Sequence, residues 1–291
     1  MEAKIISGKE ISKEIREELG KEIARLKDKG IVPGLATVLV GEDPASKVYI
    51  RNKAKACENL GIYSEQHNLK EATTSQELLD LISKLNEDPK IHGILVQLPL
   101  PKHIDEASIL YAIDPKKDVD GFHPTNVGLF FTEKRFNDMI EKGLFLPCTP
   151  HGIIELLKRS GVEIAGKEAV VLGRSNIVGK PISYLLMAND ATVTICHSKT
   201  KNLKEVCSKA DILVVAIGRA KFVGADMVKD GAVVVDVGVN RTEEGLVGDV
   251  DFEKVKERAS MITPVPGGVG PMTITMLLVN TVKSARRGAG M

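Results

Sequence analysis

The sequence predicts an α/β protein of two domains: an N-terminal α/β domain, then a C-terminal Rossmann-type domain on a parallel sheet, with a cleft between them. Three observations carry this. A length of 291 residues with 43% hydrophobic and 27% charged suits a soluble globular chain with one or two cores, and excludes disorder and fibre. Beyond residue 168, continuous apolar runs alternate with helical stretches, as strands do when helices cover both faces of a sheet. One of those runs passes through a glycine-bearing turn into a helix, the order found where backbone N–H groups face a phosphate.

The elements follow in turn. Ser7 and Glu10 form a capping box before Ile11, Ile15, Leu19, Ile23 and Leu26, which recur on one helical face closed by Gly30. GLATVLV (34–40) is a β-branched run between glycines and reads as a buried strand. A helix over 44–60 ends at Gly61, and IYSEQHNL forms the next strand. Ser75 opens a helix carrying Leu78, Leu79, Ile82 and Leu85. GILVQLPLP (93–101) is a strand cut off by prolines, and a helix spans 104–113. DPKKDVDGFHPTN (114–126) has no periodicity and is a loop.

At PCTP (147–150) the composition changes, which marks a domain boundary; Thr149 is expected as the N-cap of a helix with Pro150 in its first turn, ending at Gly161. Strands AVVLG (169–173), TVTICH (192–197), DILVVAIG (211–218) and AVVVDVG (232–238) alternate with helices over 177–189 and 203–210. A last helix, 271–287, follows the loop TPVPGGVGP.

Forty Lys and Arg against 39 Asp and Glu leave a net charge of +1, too small a field to hold a polyanion by counterion release. No apolar run approaches the roughly 18 residues of a membrane span, so the chain is expected to be cytoplasmic. The four cysteines are far apart with no CxxC pair, which suits core thiols rather than disulfides or zinc. The six histidines show no HExxH or other metal spacing, so no metal is expected.

The turn GRSNIVGKP (173–181) departs from GxGxxG, with Ser175 at the second glycine and Gly179 six positions after Gly173. A plain tight turn into a helix is the competing explanation. A domain of this kind that selects NAD ends its second strand with an acid for the ribose hydroxyls. Here that strand ends ICHSKTK, with Ser198 in the acid's place, Lys199 and Lys201 beside it, and Arg174 in the turn. Neutral and cationic donors favour the extra phosphate of NADP, although the two lysines also fit an ordinary solvated surface.

In the first half, Tyr49 and Lys53 stand four apart on the expected 44–60 helix and share a face. A lysine titrating near ~10.4 needs ~3 kcal/mol of differential stabilisation to reach about 8, where it transfers protons at neutral pH. A solvated lysine on a Lys-rich helix is the alternative. Gln97 falls inside an apolar run, where an unsatisfied amide costs roughly 1 to 3 kcal/mol, so it requires a partner. Asp118 and Asp120 suit a donor-rich heterocycle or simple turn capping. The glycines of PVPGGVGP (264–271) allow backbone to approach a ligand, or make a rigid connector.

The segments YIRNKAKACENLGI (49–62), VQLPLP (96–101), DVDGFHPTNVG (118–128), PCTPHG (147–152), GRSNIVGKP, CHSKT (196–200) and TPVPGGVGPMT (263–273) cover nearly the whole chain. Together they resemble the bifunctional methylenetetrahydrofolate dehydrogenase and methenyltetrahydrofolate cyclohydrolase family. The resemblance implies a catalytic set of Lys53, Tyr49, Gln97 and Asp120. In it Gln97 holds Lys53, Tyr49 also packs on the folate, and Asp120 grips the pterin. It implies that Pro266 and Thr273 line the folate site, and that Gly173, Arg174, Ser175, Ser198 and Val239 contact NADP. A homodimer is implied too, with a folate-binding catalytic domain over 1–147 completed by a C-terminal helix (272–291), and an NADP-binding Rossmann domain over 148–271. Two other readings stay open: a shikimate-type NADP dehydrogenase, which leaves PVPGGVGP and VQLPLP unexplained, and a non-catalytic NADP-binding sensor, which needs neither Lys53, Gln97 nor Asp120.

Overall fold

A computed structural model describes residues 2–243 and 245–290. Its elements, in chain order, begin with β1 (Lys4–Ile5), α1 (Gly8–Lys27), β2 (Gly34–Val40), α2 (Pro44–Leu60), β3 (Tyr63–Leu69), α3 (Ser75–Glu87), β4 (Gly93–Val96) and α4 (Glu106–Ala112). Then come α5 (Pro124–Thr132), α6 (Phe136–Glu141), α7 (Cys148–Arg159), β5 (Glu168–Leu172), α8 (Gly179–Met187), β6 (Thr192–Cys196), α9 (Leu203–Cys207), β7 (Ile212–Val215) and a 3-10 turn (Ala225–Met227). The last are β8 (Val233–Asp236), β9 (Asn240–Thr242), β10 (Gly245–Val247), α10 (Phe252–Val255), β11 (Met261–Ile262) and α11 (Val269–Gly288).

The contacts divide the chain into two units. One, built from Ile15–Thr132, Glu141–Leu146 and the chain from Ile274, holds a parallel sheet ordered β3-β2-β4. Every residue of β2 is buried. Ala36, Val38 and Val40 of β2 cluster with Leu78, Ile82 and Leu85 of α3 and with Ile109 of α4. Each Val, Leu or Ile side chain among them contributes about 1.5–3 kcal/mol by leaving water. α2 forms because Asp43 accepts a bond from Ser46 N at 2.7 Å, Pro44 opens the first turn, and Gly61 at φ 68° closes the last. The C-terminal stretch of α11 is bound into this unit: Asn280 Nδ2 donates to the carbonyls of Val119 and Leu146 at 2.8 and 3.0 Å, and Ser284 Oγ to that of Lys116 at 2.8 Å.

The other unit takes residues up to Glu14, Glu133–Ile140 and Pro147–Thr273. Six of its strands form an all-parallel sheet ordered β1-β11-β8-β7-β5-β6, and β9 and β10 pair antiparallel beside it. Val170, Leu172, Leu213, Val215, Val234 and Ile262 cluster on one face with Cys207, Met227 and Val255. The alternate residues Ala169, Val171, Ile212, Val214 and Val235 are buried as well, so both faces are covered, as the continuous apolar runs require. All four cysteines are buried free thiols.

Several expectations are corrected. Strand 93–101 stops at Val96, because Pro99 and Pro101 have no N–H to donate. The expected loop 114–126 gives way to α5 at Pro124, a proline at a helix start. Thr149 is not the N-cap of α7; Pro147 holds that position with no side-chain cap bond, and Thr149 Oγ1 lies 2.8 Å from Thr273 Oγ1. Strand β6 is an edge strand with only Cys196 buried, not a covered one. Apart from these corrections, residues 2–14 and 133–140 group by contact with the six-stranded sheet, where β1 pairs with β11 (Lys4 opposite Met261), 257 positions further on, and Phe136 N donates to Ala188 O at 3.0 Å.

Candidate functional site

On α2, Lys53 is only 7% exposed, on the face that also buries Ile50, Ala56 and Cys57. Its Nζ donates to Gln97 Oε1 at 2.9 Å. The sequence requirement that Gln97 find a partner is met on both sides of the amide, because Gln97 Nε2 donates to the Leu98 carbonyl at 2.7 Å. Gln97 is fixed by its backbone, whose N–H donates to Val38 O at 2.8 Å and prolongs the β2–β4 ladder by one residue. Tyr49, one turn before Lys53, is partly buried, and burial pushes its phenol above the usual range.

The loop with both acids runs along β4: Ile94 N donates to Lys117 O at 2.8 Å, and Ile94 bridges to Asp118. The two acids have separate tasks. Asp118 is buried and accepts from Gly121 N, Phe122 N, His123 N and Asn126 Nδ2 at 2.8–3.2 Å, which makes it the turn-capping carboxylate. Asp120 stands outside that set and is partly exposed.

In the six-stranded unit, Gly173 follows β5 at φ 131°, and a Cβ there would overlap the Ala216 carbonyl oxygen. Only glycine fits. Ser175 Oγ accepts from Val178 N and Gly179 N at 3.2 Å each, closing the turn where the motif has a second glycine. Arg174 is exposed on this turn; Ser198, Lys199 and Lys201 are exposed after β6, and Val239 is 46% exposed after β8. Parallel strands end on one edge, so the candidates Gly173, Arg174, Ser175, Ser198 and Val239 line a single edge of one sheet. The observed groups fit a dinucleotide: a tight turn leading into the N-terminus of α8, and cations with no acid at the end of β6. Thr273 and Pro266 lie in this unit, the latter after a cis peptide bond. In the same loop Gly268 is needed for packing, because a Cβ there would meet the Pro264 carbonyl oxygen at 2.6 Å and Thr263 Cβ at 2.8 Å.

Sequence reasoning missed two acids, Asp236 and Asp249, 3% and 0% exposed. An aspartate inside the apolar run AVVVDVG was the available signal, since a buried charge requires donors. Desolvation, with Asp249 nearby, pushes the Asp236 carboxyl up to about 7 against the pull of three N–H donors. Unfolded aspartate titrates near ~3.9, so the folded chain holds this proton more tightly. The resulting stability is complete below about pH 4 and is lost as pH rises through about 7. Urea titrations should therefore show a midpoint falling between about pH 5.5 and pH 8, and falling less in Asp236→Asn; equal pH dependence in both proteins would contradict the shift.

A doubly wound nucleotide-binding sheet on one chain with a smaller α/β unit that buries an amide-held lysine defines a two-domain α/β enzyme class. Within that class the chain belongs to the tetrahydrofolate dehydrogenase/cyclohydrolase family. The model of that family's catalytic domain matches residues 6–120, and the model of its NAD(P)-binding domain matches residues 147–289. A relative from Acetivibrio thermocellus, named bifunctional protein FolD, is 58% identical over all of both chains. The crystal structure of the bifunctional FolD enzyme of Campylobacter jejuni is 52% identical with a TM-score of 0.93, covering 98% of this chain and 99% of that one. The Trypanosoma brucei enzyme, solved with NADP cofactor and inhibitor, is 40% identical with a TM-score of 0.93 over all of both chains.

Proposed function

We propose that this chain oxidises 5,10-methylenetetrahydrofolate to 5,10-methenyltetrahydrofolate with NADP, and then hydrolyses the product to 10-formyltetrahydrofolate. The observation that carries the reading is the buried Lys53 ammonium, held at 2.9 Å by an amide that ends a core strand. Membership of the family across both domains supports it over a shikimate-type dehydrogenase or a non-catalytic sensor.

NADP, when bound, accepts the hydride. In that step a folate nitrogen lone pair stabilises the cation as it forms, so the residues' task is orientation: Asp120 holds the pterin, Tyr49 packs on it, and Pro266 and Thr273 line its site. In the second step water attacks the methenyl carbon, a carbon–nitrogen bond breaks and one proton is released. Lys53, oriented by Gln97 and Tyr49, moves that proton. Arg174, Ser198, Lys199 and Lys201 supply donors for the additional phosphate of NADP, while Gly173, Ser175 and Val239 form the rest of the nucleotide site. A folate domain over 1–147 with 272–291, a Rossmann domain over 148–271, a homodimer and a cytoplasmic location complete the proposal. In support of the last, no helix among the described residues is long and apolar enough to cross a membrane.

Methylenetetrahydrofolate supplied with NADP and NAD side by side tests this reading. A methenyl absorbance that rises and then decays, faster with NADP, is the expected result. Absence of methenyl product with either nucleotide would overturn the function.

A further inference from the structure

Asp236 and Asp249 are two deeply buried acids with no part in the chemistry above. Asp249 Oδ2 accepts from Ile217 N and Gly218 N at 2.7 and 2.9 Å, and its Oδ1 accepts from Arg219 N and Asn240 Nδ2 at 2.8 and 2.9 Å. Asp236 Oδ1 accepts from Gly238 N at 3.0 Å and from the backbone N of Asp249 at 2.9 Å, and its Oδ2 from Val250 N at 2.9 Å. Asp236 N in turn donates to Thr263 Oγ1 at 2.8 Å. The packing leaves no slack: a Cβ on Gly238 would overlap the Asp249 carboxylate, and one on Gly248 the Asp236 carboxylate.

Two carboxylates thus tie together the loop after β7 (216–219), the segment that leaves β8 and opens β9 (238–240) and the return of the β9–β10 hairpin (248–250). The first of these begins at Ala216, the residue whose carbonyl abuts Gly173. In a doubly wound sheet a dinucleotide lies across the carboxyl ends of the strands at the switch point. On the dinucleotide reading above, the turn after β5 would face the pyrophosphate and the end of β6 the adenosine ribose. The ends of β7 and β8 are left for the nicotinamide half, and those are the loops Asp249 holds.

We propose that Asp249, seated on Asp236, is a positioning residue for the nicotinamide half of the cofactor, and so for hydride transfer but not for hydrolysis. This rests on the dinucleotide reading above. An amide at 249 would set an N–H donor against N–H donors and release the 217–219 loop.

The test compares the unaltered enzyme with Asp249→Asn and Asn240→Ala, the second removing one donor while leaving the backbone bonds. In Asp249→Asn the kcat/KM for hydride transfer should fall about tenfold or more, the scale of losing a charged acceptor. Affinity for adenosine 2′,5′-bisphosphate and the rate of methenyl hydrolysis should stay within about twofold, as at a distant independent site. Asn240→Ala should show the same split with a smaller loss, and it decides the matter if Asp249→Asn does not fold. A parallel fall in bisphosphate affinity or hydrolysis, or undiminished hydride transfer in both variants, would overturn the proposal. Failure of the unaltered enzyme to bind the bisphosphate would instead overturn the dinucleotide reading, and this proposal with it.

Discussion

Lys53→Met is expected to slow methenyl hydrolysis by about a hundredfold or more, the lower range for loss of a positioned proton-transfer group, and to slow hydride transfer far less. The two steps need different things from the protein. Oxidation needs orientation, because the folate nitrogen stabilises its own cation. Hydrolysis needs a site for a proton, and the group proposed for it is Lys53 Nζ, which Gln97 Oε1 holds at 2.9 Å. Methionine has similar length and suits the face shared with Ile50, Ala56 and Cys57, so the fold should persist and the loss reads as chemistry. Following methenyl formation and decay separately checks the split. Equal retention of both rates would show that the lysine is not catalytic.

Gly173→Ala is expected to abolish tight NADP binding and to destabilise the six-stranded unit by about 3 kcal/mol or more, combining an unfavourable φ with overpacking. At φ 131° an L side chain is strained in any case, and its Cβ falls on the Ala216 carbonyl. The strand end or the turn must move, and either shift disturbs the N-terminal approach to α8. Calorimetric titration with NADP and a urea transition are the measurements. Unchanged affinity in a folded variant would show that the turn does not hold the nucleotide.

The elements legible in the sequence were those with a long period or firm punctuation. Pro44 and Gly61 bracket α2 to the residue, and the run 34–40 is β2 without adjustment. Short elements were illegible. β1 and β11 have two residues each, too few for any periodicity, and form only because the parallel ladder joins them across most of the chain. Strand β6 reads like its neighbours, but its mostly exposed side chains follow from its place at the sheet edge, which local composition does not encode.

The candidate site divides in the same way. Residue types and spacing by themselves determined the two-domain α/β class, the glycine turn, the missing acid after β6 and the need of Gln97 for a partner, while leaving Lys53 open to a solvated surface and Asp120 to turn capping. Only the tertiary structure decided that Lys53 is buried against Gln97, that Asp118 rather than Asp120 caps the loop, and that Asp236 and Asp249 brace the ends of β7 and β8. The physical reason is that helix caps, turns and apolar periods are energies of neighbouring residues, whereas burial of a charge and satisfaction of its hydrogen bonds depend on groups dozens of positions away, brought near only when the sheets close.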